Sequence, residues 1–150
     1  MDLSYSDEYF MRKALEEARK AFYEQEIPVG AVLVAENRII AKAYNQTERL
    51  IDVTAHAEIL ALTAGSHALQ AKYLPQCTLY VTLEPCLMCA GAIYWSQIKK
   101  LVYGASDLAR GFSRVGVQVL HPKTQVIAGI LATECSELMT SFFKNLRQKI

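Results

Sequence analysis

His56, Glu58, Cys86 and Cys89 are the residues of this chain whose types and spacing could do metal chemistry. One imidazole and two cysteines three apart can hold a zinc ion. Three protein ligands leave the fourth position to water, as catalytic zinc sites do and closed structural sites do not. Glu58, two residues after His56, is then the carboxylate that could move protons. The chemistry expected of such a set is hydrolytic. Two other readings compete. A Cys-x-x-Cys pair alone could be a redox couple, and Cys77 or Cys135 could close a structural site as fourth ligand. The redox couple accounts for neither His56 nor Glu58.

These residues need two helix starts to position them. Thr54 is a suitable N-cap for a helix to about Thr63 with Gly65 as its stop, which puts His56 and Glu58 in the first turn. Residues two apart do not share a helix face, but they can converge on a point beyond the helix end, where free N–H groups and the positive dipole end also aim. Thr78–Leu83 alternates and is rich in β-formers, so it reads as a strand ended by Glu84-Pro85. Pro85 suits the first position of a helix running to about Trp95, which makes Cys86 and Cys89 neighbours on one face.

The rest of the chain supplies the frame. Residues 7–24 carry an apolar stripe through Phe10, Met11, Ala14, Leu15, Ala18, Ala21 and Phe22. Glu16, Glu17, Arg19 and Lys20 lie off it, as an RNA-facing surface or a solvated one. Val29–Ala35 reads as a strand buried on both faces, and Glu36-Asn37 turns it into a second strand, Arg38–Tyr44. Gly30 inside a strand marks a close approach, by a ligand or by another backbone. Residues 45–53 read as a loop in which Asn45 is either a turn former or a ligand-binding amide. Lys99–Ala105, around Leu101-Val102-Tyr103, and Val126–Ile130 are two further strands. The long loop between them, residues 107–122, offers Arg110, Phe112 and Arg114 for stacking and phosphate contact, or for a subunit contact. Thr133–Lys149 closes the chain as a helix with Leu138, Phe142 and Leu146 inward and Lys144, Arg147 and Lys149 at its end. Strands alternating with helices give a layered α/β domain.

Composition bounds the function class loosely. At 150 residues and 52% hydrophobic the chain is expected to be one domain, 1–150, with a real core. No apolar run of about 18 residues and no basic-then-apolar leader is present, so neither membrane span nor secretion is expected, and a cytoplasmic location is. A net charge of +1 argues neither for nor against nucleic acid.

The motifs also resemble those of the cytidine/deoxycytidylate-type deaminase superfamily, and most of all its branch of bacterial tRNA-specific adenosine deaminases. The resemblance rests on Pro28–Val34, Thr54–Ile59 and Thr78–Ala92, with further matches at Gly104-Ala105, Asp107, Gly129–Ala132, Glu134-Cys135 and Phe142-Phe143. It implies a three-layer α/β/α fold around a five-stranded mixed sheet, and a homodimer with one zinc ion per subunit. His56, Cys86 and Cys89 would be the ligands, with Glu58 the proton carrier. Asn45 would hydrogen-bond the substrate, the Val29–Ala31 backbone would line the base pocket, and Asp107 and Phe143 would hold flanking nucleotides. The reaction implied is conversion of the wobble adenosine of a tRNA anticodon stem-loop to inosine with release of ammonia. A deaminase of free bases or nucleosides shares the core, and a zinc-stabilised binding module without activity is the non-enzymatic rival. Two departures fall where RNA would touch. Leu108–Val115 replaces the lysine, glycine and small residues usual after Asp107, and Tyr94-Trp95 stands where relatives often carry a histidine.

Overall fold

The site-bearing segments gather at one end of a single sheet. The structure is a computed structural model and describes residues 5–148. Its elements are α1 (Asp7–Tyr23), β1 (Gly30–Ala35), β2 (Arg38–Tyr44), α2 (Ala57–Leu69), β3 (Cys77–Leu83), α3 (Leu87–Ser96), β4 (Lys100–Ala105), β5 (Gln125–Ala128) and α4 (Ala132–Gln148). The strand order is β2-β1-β3-β4-β5. β1 is antiparallel to both β2 and β3, whereas β3–β4 and β4–β5 are parallel. The sheet is therefore mixed, as the resemblance implied.

The two faces can be read from β1. Ala31, Leu33 and Ala35 point to one core with Ala57, Ala61 and Leu62 of α2 and Ala90 and Ile93 of α3. Val32 and Val34 point to the other, with Phe10, Met11, Ala14 and Leu15 of α1 and Cys135 of α4. A strand buried on both faces has no polar side, which is why its sequence is a continuous apolar run. Glu36 and Asn37 both take positive φ (50° and 61°), the conformation of the tight hairpin turn.

Several local expectations shift. The cap of α2 is His56, not Thr54. The Thr54 N–H and hydroxyl both donate to Asp52 Oδ1 (2.8 and 2.7 Å), so that residue is spent on a turn two positions earlier. Gly65 does not stop α2. It lies inside the helix against Leu33, whose Cδ2 would sit 2.1 Å from an added Cβ, and Gln70 in the left-handed conformation ends the helix instead. Cys86 caps α3, so Pro85 precedes the cap and is not the first helical residue. Glu17 is buried, its carboxylate accepting from Lys20 Nζ at 2.7 Å, and so is no part of a solvated face. The inner stripe of α4 ends at Phe142, which meets Phe22 edge-on, and Leu146 is exposed. Lys149 lies outside the described residues. Gly30 is explained by crowding: a Cβ there would be 2.0 Å from Ala14 O and 2.4 Å from Ala18 N, so the close approach is the α1 backbone.

Candidate metal centre and active site

The two N-cap residues are the root of the site. His56 and Cys86 each have extended φ/ψ just before a helix, and neither side chain hydrogen-bonds its own helix end. Both are free to turn towards each other. His56 Nδ1 lies 3.7 Å from Cys86 Sγ and 3.4 Å from Cys89 Sγ, and the three donor atoms all lie within 4.8 Å of one another. A tetrahedral ion with bonds of about 2.3 Å to sulfur and about 2.0 Å to nitrogen would hold such atoms roughly 3.5 Å apart. The donors fit zinc in type and spacing.

Their proton affinities fit it too. A hydrogen bond from the Cys89 thiol leads in holding Cys86 down to about 4, with His56 helping. Cys89 is raised in return, first by that same bond and then by burial. His56 is raised, chiefly by its hydrogen bond with Cys86. Three groups thus share protons over a few ångströms, and a cation that binds them displaces those protons. Cys77 and Cys135 are buried free thiols outside this cluster, so among the described residues no fourth ligand closes it.

Glu58 lies in the first turn of α2, only 4% exposed. Burial pushes its carboxyl up to about 7, against the lowering pull of its own backbone N–H and of His56. A divalent cation nearby would add to that downward pull. A carboxyl able to take and return a proton near neutrality is what general acid–base catalysis asks for.

A cavity of about 510 Å³ opens above these groups. His56, Glu58 and Cys86 form its floor, and Val29, Asn45, Asp107 and Phe143 are on its walls. These residues precede β1, follow β2, follow β4 and belong to α4, so four separate elements deliver them to one end of the sheet. Ala31 is not on the cavity wall. It is fully buried in the α2–α3 core, because β1 side chains alternate and its register partners are Ala43 and Val81. Asn45 is 5% exposed and its Nδ2 donates to Ile27 O at 3.3 Å, while its Oδ1 has no partner among the described residues. Such an orphaned acceptor is costly unless a ligand satisfies it.

The loop residues split. Arg110 lines the cavity mouth. The Arg114 guanidinium donates to Ala109 O within the loop. Phe112 is 2% exposed and packs edge-on against Tyr103, so it cannot stack on a base. The residues missed from the sequence are Glu84 and Glu26, two buried carboxylates that brace the rim loops. An acidic residue at the end of a buried strand, directly before Pro85-Cys86, was the available signal for Glu84.

Residues 4–105 match the cytidine and deoxycytidylate deaminase zinc-binding region. The chain is 45% identical over 148 residues to a tRNA-specific adenosine deaminase of Aquifex aeolicus, covering 95% of this chain and 97% of that one. It is 48% identical to the same-named protein of Haemophilus influenzae, covering 95% and 86%. The chain belongs to the tRNA-specific adenosine deaminase family. A solved structure from work on A-to-I editing by tRNA:A34 deaminases superposes on this family member with TM-score 0.82 at 43% identity, covering 87% of this chain and 98% of that one. A guanine deaminase from Nitrosomonas europaea superposes equally well, TM-score 0.82, but at 25% identity over 95% and 86% of the two chains. The backbone is therefore common to both substrate classes.

Proposed function

We propose that this protein converts the wobble adenosine of a tRNA anticodon to inosine by zinc-dependent hydrolysis, releasing ammonia, with residues 1–150 acting as one deaminase domain. The observation that carries this reading is identity of 45–48% to tRNA-specific adenosine deaminases held over 95% of the chain, where guanine deaminases of the same fold reach 25% over 95% of it or 38% over 68% of it.

His56, Cys86 and Cys89 hold zinc, which when bound supplies the acidity that makes water a nucleophile near neutral pH. Glu58 moves the protons: its carboxylate takes one from the attacking water and gives it to the ring nitrogen, then takes the proton left on the added oxygen and gives it to the departing amine. Asn45 Oδ1, unpartnered among the described residues, accepts a hydrogen bond from the bound nucleoside. Val29 and Phe143 offer apolar walls to the base and its neighbour, and Asp107 and Arg110 face the strand outside the cavity mouth. The adenosine has to leave the loop stack to reach this depth, which is least costly in a single-stranded anticodon loop.

Homodimerisation is part of the reading. Leu87, Met88 and Trp95 expose apolar surface on α3, and Tyr73 does so beside it, on the layer away from the sheet. Among the described residues no helix is long and apolar enough to cross a membrane, which together with a tRNA substrate supports a cytoplasmic location. The test is incubation with anticodon stem-loops bearing adenosine at the first anticodon position, and separately with adenine, guanine, cytosine and their nucleosides. Inosine at that one position is expected. Turnover of a free base with the RNA untouched would overturn the reading.

A further inference from the structure

Glu84 sits between the last residue of β3 and the Pro85-Cys86 entry to α3. It is buried, it belongs to no metal donor set, and both its carboxylate oxygens are committed. Oε1 accepts the Asp107 N–H at 3.0 Å and Oε2 accepts the Ser113 N–H at 2.9 Å. The same two segments meet twice more through main chain: the Phe112 N–H donates to Pro85 O at 2.9 Å, and Gly111 forms a bridge with Cys86. Gly111 has φ −66° and ψ 149°, which any residue adopts, so its missing side chain is a matter of space alone. A Cβ there would lie 2.2 Å from the Glu84 carboxyl carbon.

A carboxylate withdrawn from water is costly unless its oxygens are satisfied, and here two backbone donors satisfy it with no cation in the hydrogen-bond set. What the arrangement provides is geometry. Between β4 and β5 the chain has only two single 3-10 turns, Phe112–Arg114 and Val117–Val119, so ties of this kind set the loop's shape. That loop presents Asp107, Leu108 and Arg110 at the cavity mouth.

We propose that Glu84 is a positioning residue for substrate, holding the 107–113 loop in register with the helix start that carries Cys86. This rests on the reading that the substrate is an RNA loop extending beyond the cavity mouth. A nucleoside alone is gripped by the cavity, but the flanking nucleotides of an RNA need the rim in place. Loss of the tie should therefore weaken substrate binding and spare the chemical step.

The test uses the zinc-loaded protein with Glu84→Gln and Gly111→Ala. The first puts an amide NH₂ against one of the two N–H donors, and the second keeps the carboxylate but drives a methyl into it. Hydrogen exchange of the peptide spanning Asp107–Ser113 should quicken in both by about tenfold or more, and KM for the stem-loop should rise by about tenfold, as expected when a hydrogen bond to a charged acceptor is lost. Zinc per chain and kcat should stay within about twofold, since neither metal donors nor Glu58 are altered. Loop amides that stay protected, a kcat that falls with KM unmoved, or loss of zinc from both variants would each overturn the proposal. Should the unaltered protein leave the stem-loop unedited, the tRNA reading fails, while the exchange measurement still decides whether Glu84 holds the loop.

Discussion

The floor of the site stands on two helix starts, and its rim hangs on loops. His56 and Cys86 are fixed by being N-caps, with Glu58 and Cys89 in the turns that follow, all braced by the buried strands β1 and β3. Asn45, Asp107 and Arg110 instead belong to segments without regular structure. Two buried carboxylates hold those segments: Glu84 on the Asp107 and Ser113 N–H groups, and Glu26 on those of Glu48 and Arg49 at 3.1 and 2.8 Å. The floor is built by local backbone rules and the rim by long-range side-chain ties. Chemistry should therefore survive rim damage, and binding should survive much that does not touch the rim.

The largest separation expected comes from Glu58→Gln, which keeps the shape of the floor and removes the proposed proton carrier. Deamination should fall by about 10²–10⁴-fold with KM little changed. A rate near that of the unaltered enzyme in single-turnover assays would refute the acid–base assignment. Removing the metal with a chelator attacks the same region differently. Activity should vanish and the thermal midpoint should drop, because an ion bound only by the folded chain stabilises it. An unchanged midpoint in calorimetry would mean that the three donors do not share an ion.

Gly30→Ala probes the brace under both regions. The added methyl meets the α1 main chain at Ala14 O and Ala18 N, atoms that cannot rotate away. Overpacking of this kind costs about 1–3 kcal/mol and more where backbone must move. Urea unfolding should show a lowered midpoint at unchanged slope, with zinc content preserved in the fraction that folds. A neutral result would show that α1 shifts freely and that its packing does not fix β1.

Asn45→Ala isolates the cavity wall that the loop after β2 supplies. Its Oδ1 is buried without a partner among the described residues, so a hydrogen bond from substrate there relieves a desolvation penalty. KM should rise by roughly tenfold, about the worth of one hydrogen bond of binding. The thermal midpoint should fall little, since only the 3.3 Å bond from Nδ2 to Ile27 O is lost from the folded state. A large loss of stability with KM intact would make Asn45 a structural loop residue after all.

The same contrast decides what could be read from the sequence. Val29–Ala35, Thr78–Leu83 and the Cys-x-x-Cys helix are legible because burial and capping act within a few residues. The meeting of His56 with Cys86 was legible because both open helices at one end of a sheet. Thr54 was misjudged as a cap because Asp52, two residues earlier, competes for it. Of the two readings open for Phe112, stacking and subunit contact, neither holds, and nothing local shows that the loop folds inward onto Tyr103. Glu26 escapes a sequence reading for the same reason, and Glu84 does but for its place before Pro85-Cys86: a carboxylate that bonds main chain 22–29 positions away leaves no periodic trace.

The smallest effect expected is at a place that touches neither region. Asp7, at the start of α1, accepts from Tyr80 Oη at 2.7 Å and from Lys100 Nζ at 2.9 Å, tying the helix to β3 and β4. Burial pushes its carboxyl up, but the Tyr80 and Lys100 hydrogen bonds together outweigh that and leave it below the ordinary 3.8. A carboxyl whose folded pKa is lowered stabilises fully above its unfolded value and loses that contribution as pH falls through the folded one. Asp7→Asn should thus cost about 1 kcal/mol at neutral pH, modest because the pair is partly solvated. The gap between the two proteins should close below pH 3.8, where the unaltered carboxyl begins to take up its proton. Neither kcat nor KM should move, since floor and rim both sit at the other end of β3. A gap that persists undiminished into acid would show that packing of α1, and not the charge on Asp7, is what the substitution removes.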